Sequence, residues 1–423
     1  MLRLTLPRSR ARRARLTLLG LLAIVGPGLV SGFADNDAGG ITTYSIAGAQ
    51  FGYTMLWVLL ASQIALMVTQ EAGARLGLAT GHGLSGLIRE RYGIRWALFA
   101  SLTMLAANLG DTVAEFAGIG AALALFGVPS QLSAVVAAVA VVLLLAKGNY
   151  RRIQLLFVLM GAAISVAYLV SAILAKPDWA LAVHSTVIPT LGFGNSAYLL
   201  MVVGIVGTTI TPWGQSFIQS YVVDKGLGPR DLTGSRIDVT LGALLTNLVA
   251  WFIVIACAAT LWENGIVIND AADAARALGP LAGPAAETLF ALGLLAASLL
   301  GLGTVPLTSA YAACEAFGWE AGLDHRWGEA RAFYGLLALF VGFAALFLLI
   351  PGLPLITVMF LSQVFDGLLL PIVLVFVMLL ARDRALMGDL VSARLLSAAG
   401  WTATVAIGAL SVALVVSQVT GFG

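Results

Sequence analysis

Two carboxylates and an asparagine, Asp35, Asn36 and Asp37, stand inside a long apolar run, between Gly26-Pro27-Gly28 and Ala38-Gly39-Gly40. A charged side chain at the centre of a membrane helix costs about 2.5 kcal/mol or more, so a helix does not carry one without a use. Glycine and proline are poor helix-interior residues. The stretch 26–43 therefore reads as a membrane helix broken at mid-depth to hold a cation. The plainer alternative is a loop between two short helices. A second stretch has the same character: Gly207, Thr208, Thr209, Thr211, Pro212 and Gly214 interrupt the apolar run that begins at Val203, and Gln215 and Gln219 follow at helical spacing. Alone, it is equally a proline-kinked helix with hydroxyls bonded back to carbonyls. Asp111 and Glu115, four apart on one helix face, and Gln363 and Asp366 place further polar groups deep in apolar runs.

Composition says what kind of element must position these groups. Of 423 residues, 60% are hydrophobic and 10% charged, and the mean hydropathy is +0.97. Soluble domains carry about 25% charged residues, so this is an all-α polytopic membrane protein. A span needs about 20 mostly apolar residues. Eleven segments qualify: 17–48, 53–74, 94–126, 131–146, 150–175, 196–222, 237–262, 281–311, 332–350, 354–381 and 396–420. With the N-terminus inside, 21 of the 23 basic residues fall in inside loops, and only Lys176 and Arg276 fall outside. That asymmetry is what the positive-inside rule demands, and it sets the C-terminus outside.

The interrupted segments are the first and the sixth. Segments one to five begin inside and six to ten begin outside, so the halves 17–175 and 196–381 are inverted repeats and 396–420 is an added helix. Residues 1–16 form a basic cytoplasmic N-terminal segment before a single transmembrane domain, 17–423. Irregular backbone at membrane depth is tolerated only where it lines a cavity or is buried in protein. Paired broken helices in corresponding positions of two halves point to a transporter site at the repeat interface. Cys257 and Cys314, far apart in apolar runs, make neither a metal motif nor a disulfide framework. His82, His184 and His325 fall in loops of this division, without partners at ligand spacing. Glu287 reads as a helix-start residue favoured by the dipole. There is no nucleophile–base constellation and no phosphate loop, which argues against an enzyme.

Several motifs resemble the Nramp superfamily of divalent-metal transporters. They are Gly26-Pro27-Gly28, Asp37-Ala38-Gly39-Gly40, Ala47-Gly48-Ala49-Gln50-Phe51-Gly52-Tyr53, and Gln70 through Ala74-Arg75-Leu76-Gly77 to Gly81. Ala114-Glu115, Thr288 to Ala296, Ser362-Gln363 and Pro371 extend the likeness, which runs from about residue 20 to 380. The departures lie at the breaks. Where the family has Asp-Pro-Gly-Asn, this chain keeps Asp37 and Gly39 but has Ala38 and Gly40. Where it has Met-Pro-His, this chain has Thr211-Pro212-Trp213. The substitutions resemble the magnesium-transporter branch of the superfamily. A thioether favours transition metals, whereas oxygen ligands suit magnesium and manganese.

The resemblance implies Asp37 as the leading metal ligand, with Thr208, Thr211 and Gln215 beside it and Asp35 and Asn36 as second-rank candidates. Glu115 falls on the glutamate of an acidic pair that the family has on a proton route, while the other member of that pair falls on Thr112, with Asp111 one position earlier. Gln363 lies in the same membrane zone, and Asp366 joins it on burial cost alone. Trp213 cannot carry a proton where the family has histidine. The expectation is thus an importer of Mg2+ or Mn2+ working by alternating access, with weak or no proton coupling. The ion is its substrate, and it needs no cofactor, nucleic acid or protein partner. A monomer in a bacterial inner membrane suffices. Three alternatives stand beside it: a proton-coupled Mn2+/Fe2+ symporter, an organic-solute symporter of the same fold, and a cation channel.

Overall fold

The computed structural model describes residues 32, 35–146, 150–322 and 328–421, with the backbone alone for 142–146, 150–158, 160 and 161. The basic segment 1–16, the opening Gly26-Pro27-Gly28 and His325 lie outside the described residues. Fourteen helices of eight residues or more carry the architecture. They are α1 (Ala38–Phe51), α2 (Leu56–Thr80), α3 (Leu84–Tyr92), α4 (Ile94–Ala124), α5 (Ser130–Ala146), α6 (Tyr150–Leu174), α7 (Trp179–Val187), α8 (Ser196–Thr209), α9 (Pro212–Asp224), α10 (Leu232–Cys257), α11 (Ala286–Phe317), α12 (Arg331–Leu348), α13 (Leu355–Ala381) and α14 (Arg394–Thr420). No strand occurs among the described residues.

Eight helical stretches among the described residues are long and apolar enough to cross a membrane. The first, Ala38–Thr80, has 43 residues and would be about 65 Å long if straight, twice the roughly 30 Å of hydrocarbon. Gly52, at φ +58°, turns the chain between α1 and α2, so this stretch holds segments one and two of the sequence division. Segments four and five correspond to α5 and α6, and the rest match one for one. One expectation is corrected. The connection at 176–195 is not all loop: it contains α7, bent 119° from α6. Asp178 accepts from Leu181 N at 2.9 Å to start that helix, and Trp179 packs on Trp251. His184 therefore lies in a helix rather than in a loop.

Polarity is inverted relative to a water-soluble domain. Leu346, Val405 and Val419 are 67%, 66% and 80% exposed, while Asp111, Glu115, Gln363 and Asp366 are fully buried. Apolar side chains outside and carboxyl groups inside are what hydrocarbon surroundings select. At the centre α4 packs along α11 and α13, α8 lies along α13, and α10 covers α1 and α2. The close approaches run through glycine. A Cβ on Gly207 would lie 2.0 Å from the Gln363 carbonyl oxygen, and one on Gly367 2.3 Å from that of Val203. Small residues let membrane helices approach to backbone contact, and here they seat α8 directly on the polar face of α13.

Candidate cation site

Both breaks are built in the same way. Asp37 is the N-cap of α1, and its Oδ1 accepts from Gly40 N at 2.8 Å. Thr211 is the N-cap of α9, and its Oγ1 accepts from Gly214 N at 3.2 Å, with Pro212 in the first helical position. Aspartate and threonine are favoured caps because a side-chain oxygen satisfies an orphan backbone donor, and proline at the first position sacrifices a donor that had no partner anyway. α8 ends at Thr209, so its final carbonyls face the gap before α9. At the other break, Gly32 is helical, 35–37 are not, and α1 starts at Ala38. The first and sixth spans are thus discontinuous at equivalent places in the two inverted halves.

The gap between the caps is lined by oxygen. A Cβ built on Gly40 would lie 2.9 Å from the Asp35 carbonyl oxygen, 3.1 Å from Thr208 Oγ1 and 3.4 Å from Asp37 Oδ1. Three oxygens from two different spans therefore surround one point, and the absent side chain of Gly40 leaves it open. A Cβ on Gly214 would lie 2.7 Å from Thr211 Oγ1 and 3.5 Å from Asp35 Oδ1, which brings Asp35 and Thr211 to the same face. Asp35, Asp37, Thr208, Thr211 and Gln215 are all 2% exposed or less. Asp37 Oδ2, Thr208 Oγ1, both oxygens of Asp35 and both amide atoms of Gln215 have no well-formed hydrogen bond. Buried polar atoms are normally paired, so a group of orphan oxygens marks a place prepared for a ligand. Among the described residues no three His, Cys, Asp or Glu side chains form a ready-made metal cage. The donors are mixed instead: carboxylate, hydroxyl and backbone carbonyl.

Asn36 uses its two amide atoms differently: Oδ1 is buried without a well-formed hydrogen bond. Its amide nitrogen points to the carbonyls of Gly32 (3.5 Å) and Thr246 (3.4 Å), tying the first break to α10. Asp111 and Glu115 both turn inward from α4. Asp111 Oδ1 accepts from Gln363 Nε2 at 3.0 Å, and Asp366 faces Asp111 from α13. Glu115 faces Asp37 and the start of α1. Gln363 also packs on the break itself, because a Cβ on Gly39 would lie 2.1 Å from its Nε2. Five buried carboxyl groups thus gather around the first break, and none of them makes an ion pair with a basic side chain in the described residues.

Three contributors were not singled out from the sequence. Tyr44 holds α1 to α8 through a 3.0 Å contact between its hydroxyl and Thr209 Oγ1. Thr246 ties α10 to the residue before the break through Gly32 O. Asn108 donates to Ser309 Oγ at 2.8 Å, joining α4 to α11. Their signal was available as polar residues in apolar runs. Trp213, where the resemblance implies a lost histidine, is fully buried against Phe217, Leu300 and Val305.

Inverted halves, two broken spans and an oxygen-lined gap between their caps define a polytopic protein of the broken-helix, inverted-repeat class. Residues 28–417 match the family described as Natural resistance-associated macrophage protein-like, Nramp. A relative from Deinococcus radiodurans, "Divalent metal cation transporter MntH", is 33% identical over 408 residues, 92% of this chain and 89% of the relative. One of the same description from Bacillus subtilis is 27% identical over 412 residues, 94% and 92% of the two chains. The chain belongs to the Nramp family. Its fold is also that of a solved Eremococcus coleocola manganese transporter, with TM-score 0.76, 23% identity, and coverage of 99% of this chain and 90% of that one.

Proposed function

We propose that this chain carries a divalent metal cation across a bacterial inner membrane by alternating access, and that the ion binds in the gap between the caps of α1 and α9. The observation that carries the reading is the convergence of Asp35 O, Asp37 Oδ1 and Thr208 Oγ1 around Gly40. Relatives described as divalent metal cation transporters support the substrate class. Asp37 is the principal ligand, Thr208 and the Asp35 carbonyl stand beside it, and Asp35, Thr211 and Gln215 line the same gap. Two aspartates here would repel a substrate carboxylate, which disfavours an organic-solute symporter. An enzymatic role has no support.

Hard cations fit this donor set best. Mg2+ and Mn2+ take oxygen ligands, and Mg2+ usually keeps several waters, for which the missing side chain of Gly40 leaves room. Trp213 is packed in apolar surroundings and offers no proton relay, so proton coupling is weak or absent. The basic residues put the N-terminus in the cytoplasm and the C-terminus outside, with residues 17–175 and 196–381 as the repeats and 396–420 as the added helix.

The test is uptake into proteoliposomes, with Mg2+, Mn2+, Fe2+ and Ca2+ in competition at two external pH values. Saturable uptake, preference for Mg2+ or Mn2+ and little acidification of the lumen are expected. Asp37→Ala abolishes uptake and binding while the protein stays monodisperse. Retained uptake in that folded variant would refute the assignment, and unitary conductance in a planar bilayer would favour a channel.

A further inference from the structure

One partly buried carboxylate belongs to neither the gap nor the acidic group around it. Glu315 stands near the end of α11, at the end of the bundle that carries Arg75, Arg89 and Arg91. It meets two other elements there. The first is the start of α3. The N-cap of α3 is Gly83, which supplies no side-chain cap, and the Glu315 carboxylate instead faces the backbone N–H groups of Ser85 and Gly86. It fits because Gly83 has no Cβ: one built there would lie 1.9 Å from Oε1. The second element is α9, the second half of the sixth span, whose Ser220 Oγ donates to Glu315 Oε1 at 3.4 Å. One residue earlier, Gln219 Nε2 donates to His82 O at 2.8 Å, in the loop that leads into α3. The far end of α9 is thus fastened to the α2–α3 connection twice, once directly and once through Glu315. α9 begins at the gap, with Thr211 as its cap, so a displacement of this end pivots the ligand-bearing end.

We propose that Glu315 is a positioning residue for transport: its carboxylate caps α3 in trans, holds the end of α9 through Ser220, and so keeps the pathway closed at this end until the cation is seated. The orphan donors at the start of a helix and its dipole both favour a negative charge there, and with glycine as N-cap a carboxylate from another helix can supply it. The inference rests on the carrier reading above and names the contact that must break for release.

The test combines hydrogen exchange with transport in the full chain. Exchange is followed by mass spectrometry in peptides covering 81–88 and 212–224, without metal, with 394–420 as the internal control. Glu315→Ala is expected to raise exchange at least tenfold in both peptides and to leave the control unchanged. Glu315→Gln, which keeps an acceptor but loses the charge, gives a smaller rise. In proteoliposomes, Mn2+ uptake by Glu315→Ala falls at least fivefold in Vmax, while KM and Mn2+ affinity by calorimetry stay within about threefold. If exchange rises in 81–88 alone, Glu315 is a local cap and the proposal is overturned. It is equally overturned if Vmax is unchanged while both peptides loosen. Should Glu315→Ala fail to fold, Ser220→Ala and Gly83→Ala, each disturbing one side of the contact, decide the same question. If the wild type moves no divalent metal, the carrier reading fails, while the metal-free exchange still decides whether Glu315 clasps α9.

Discussion

At the scale of single residues, the site depends as much on absent side chains as on ligands. Gly40 is the sharpest case: a methyl group there would sit 2.9–3.4 Å from three oxygens of two spans. Gly40→Ala is expected to weaken Mn2+ binding at least tenfold by calorimetry with little loss of thermal stability, because the methyl occupies ligand space rather than packed core. Gly39→Ala behaves differently. Its Cβ would meet Gln363 Nε2 at 2.1 Å, a group already bonded to Asp111. Overpacking of that kind costs about 1–3 kcal/mol, so a lower melting temperature by differential scanning fluorimetry is the expected result. The importance of Asp37 was legible in the sequence, since a carboxylate in an apolar run needs a reason. Asn36 was less so: its amide nitrogen serves the carbonyls of Gly32 and of Thr246 in the distant α10, which adjacency to two aspartates does not reveal.

At the scale of elements, the two broken spans solve one problem in two chemistries. Asp37 caps α1 with a carboxylate and Thr211 caps α9 with a hydroxyl, each reaching the amide three residues on. Thr211→Ala is expected to cost about 1 kcal/mol of stability, measured without metal, and Thr211→Ser to restore most of it. The element boundaries follow the sequence closely wherever apolar length decides them, as in α12 to α14. They depart at α7. Its residues are apolar enough to continue a span, but the chain turns sharply before it, and tertiary contacts hold it: Trp179 packs on Trp251, whose Nε1 donates to Thr186 Oγ1 at 2.8 Å.

At the scale of the whole molecule, the basic end of the bundle is bound together by charge. Glu71 pairs with its own-helix neighbour Arg75 and, at 2.7 Å, with Arg236 of α10, while Arg75 also reaches the carbonyls of Leu390 and Val391. Arg75 is only 3% exposed, so removing its carboxylate leaves a buried charge unpaired. Glu71→Gln is expected to destabilise by about 1–3 kcal/mol, less than the roughly 3–5 of a fully buried pair because Arg236 is 44% exposed. A lowered melting temperature with Mn2+ affinity unchanged is the outcome to look for. Arg91 and Asp383, 2.5 Å apart, make a second tie at the same end, between α3 and the connection after α13.

The sequence by itself determined that the chain is an all-α membrane protein with two interrupted spans in inverted halves. Hydrocarbon forces apolar length on every span, and the cost of mid-depth carboxylates marks the exceptions. The motifs of the first two spans identified the family. Tertiary structure decided which polar groups meet. That Thr208 of one span and Asp35 and Asp37 of another surround Gly40, that Gln363 seats on Gly39, and that Glu315 lies against Gly83, more than 200 residues away in sequence, are facts of packing. Helical periodicity gives each side chain a face, but it does not say which helix that face will meet.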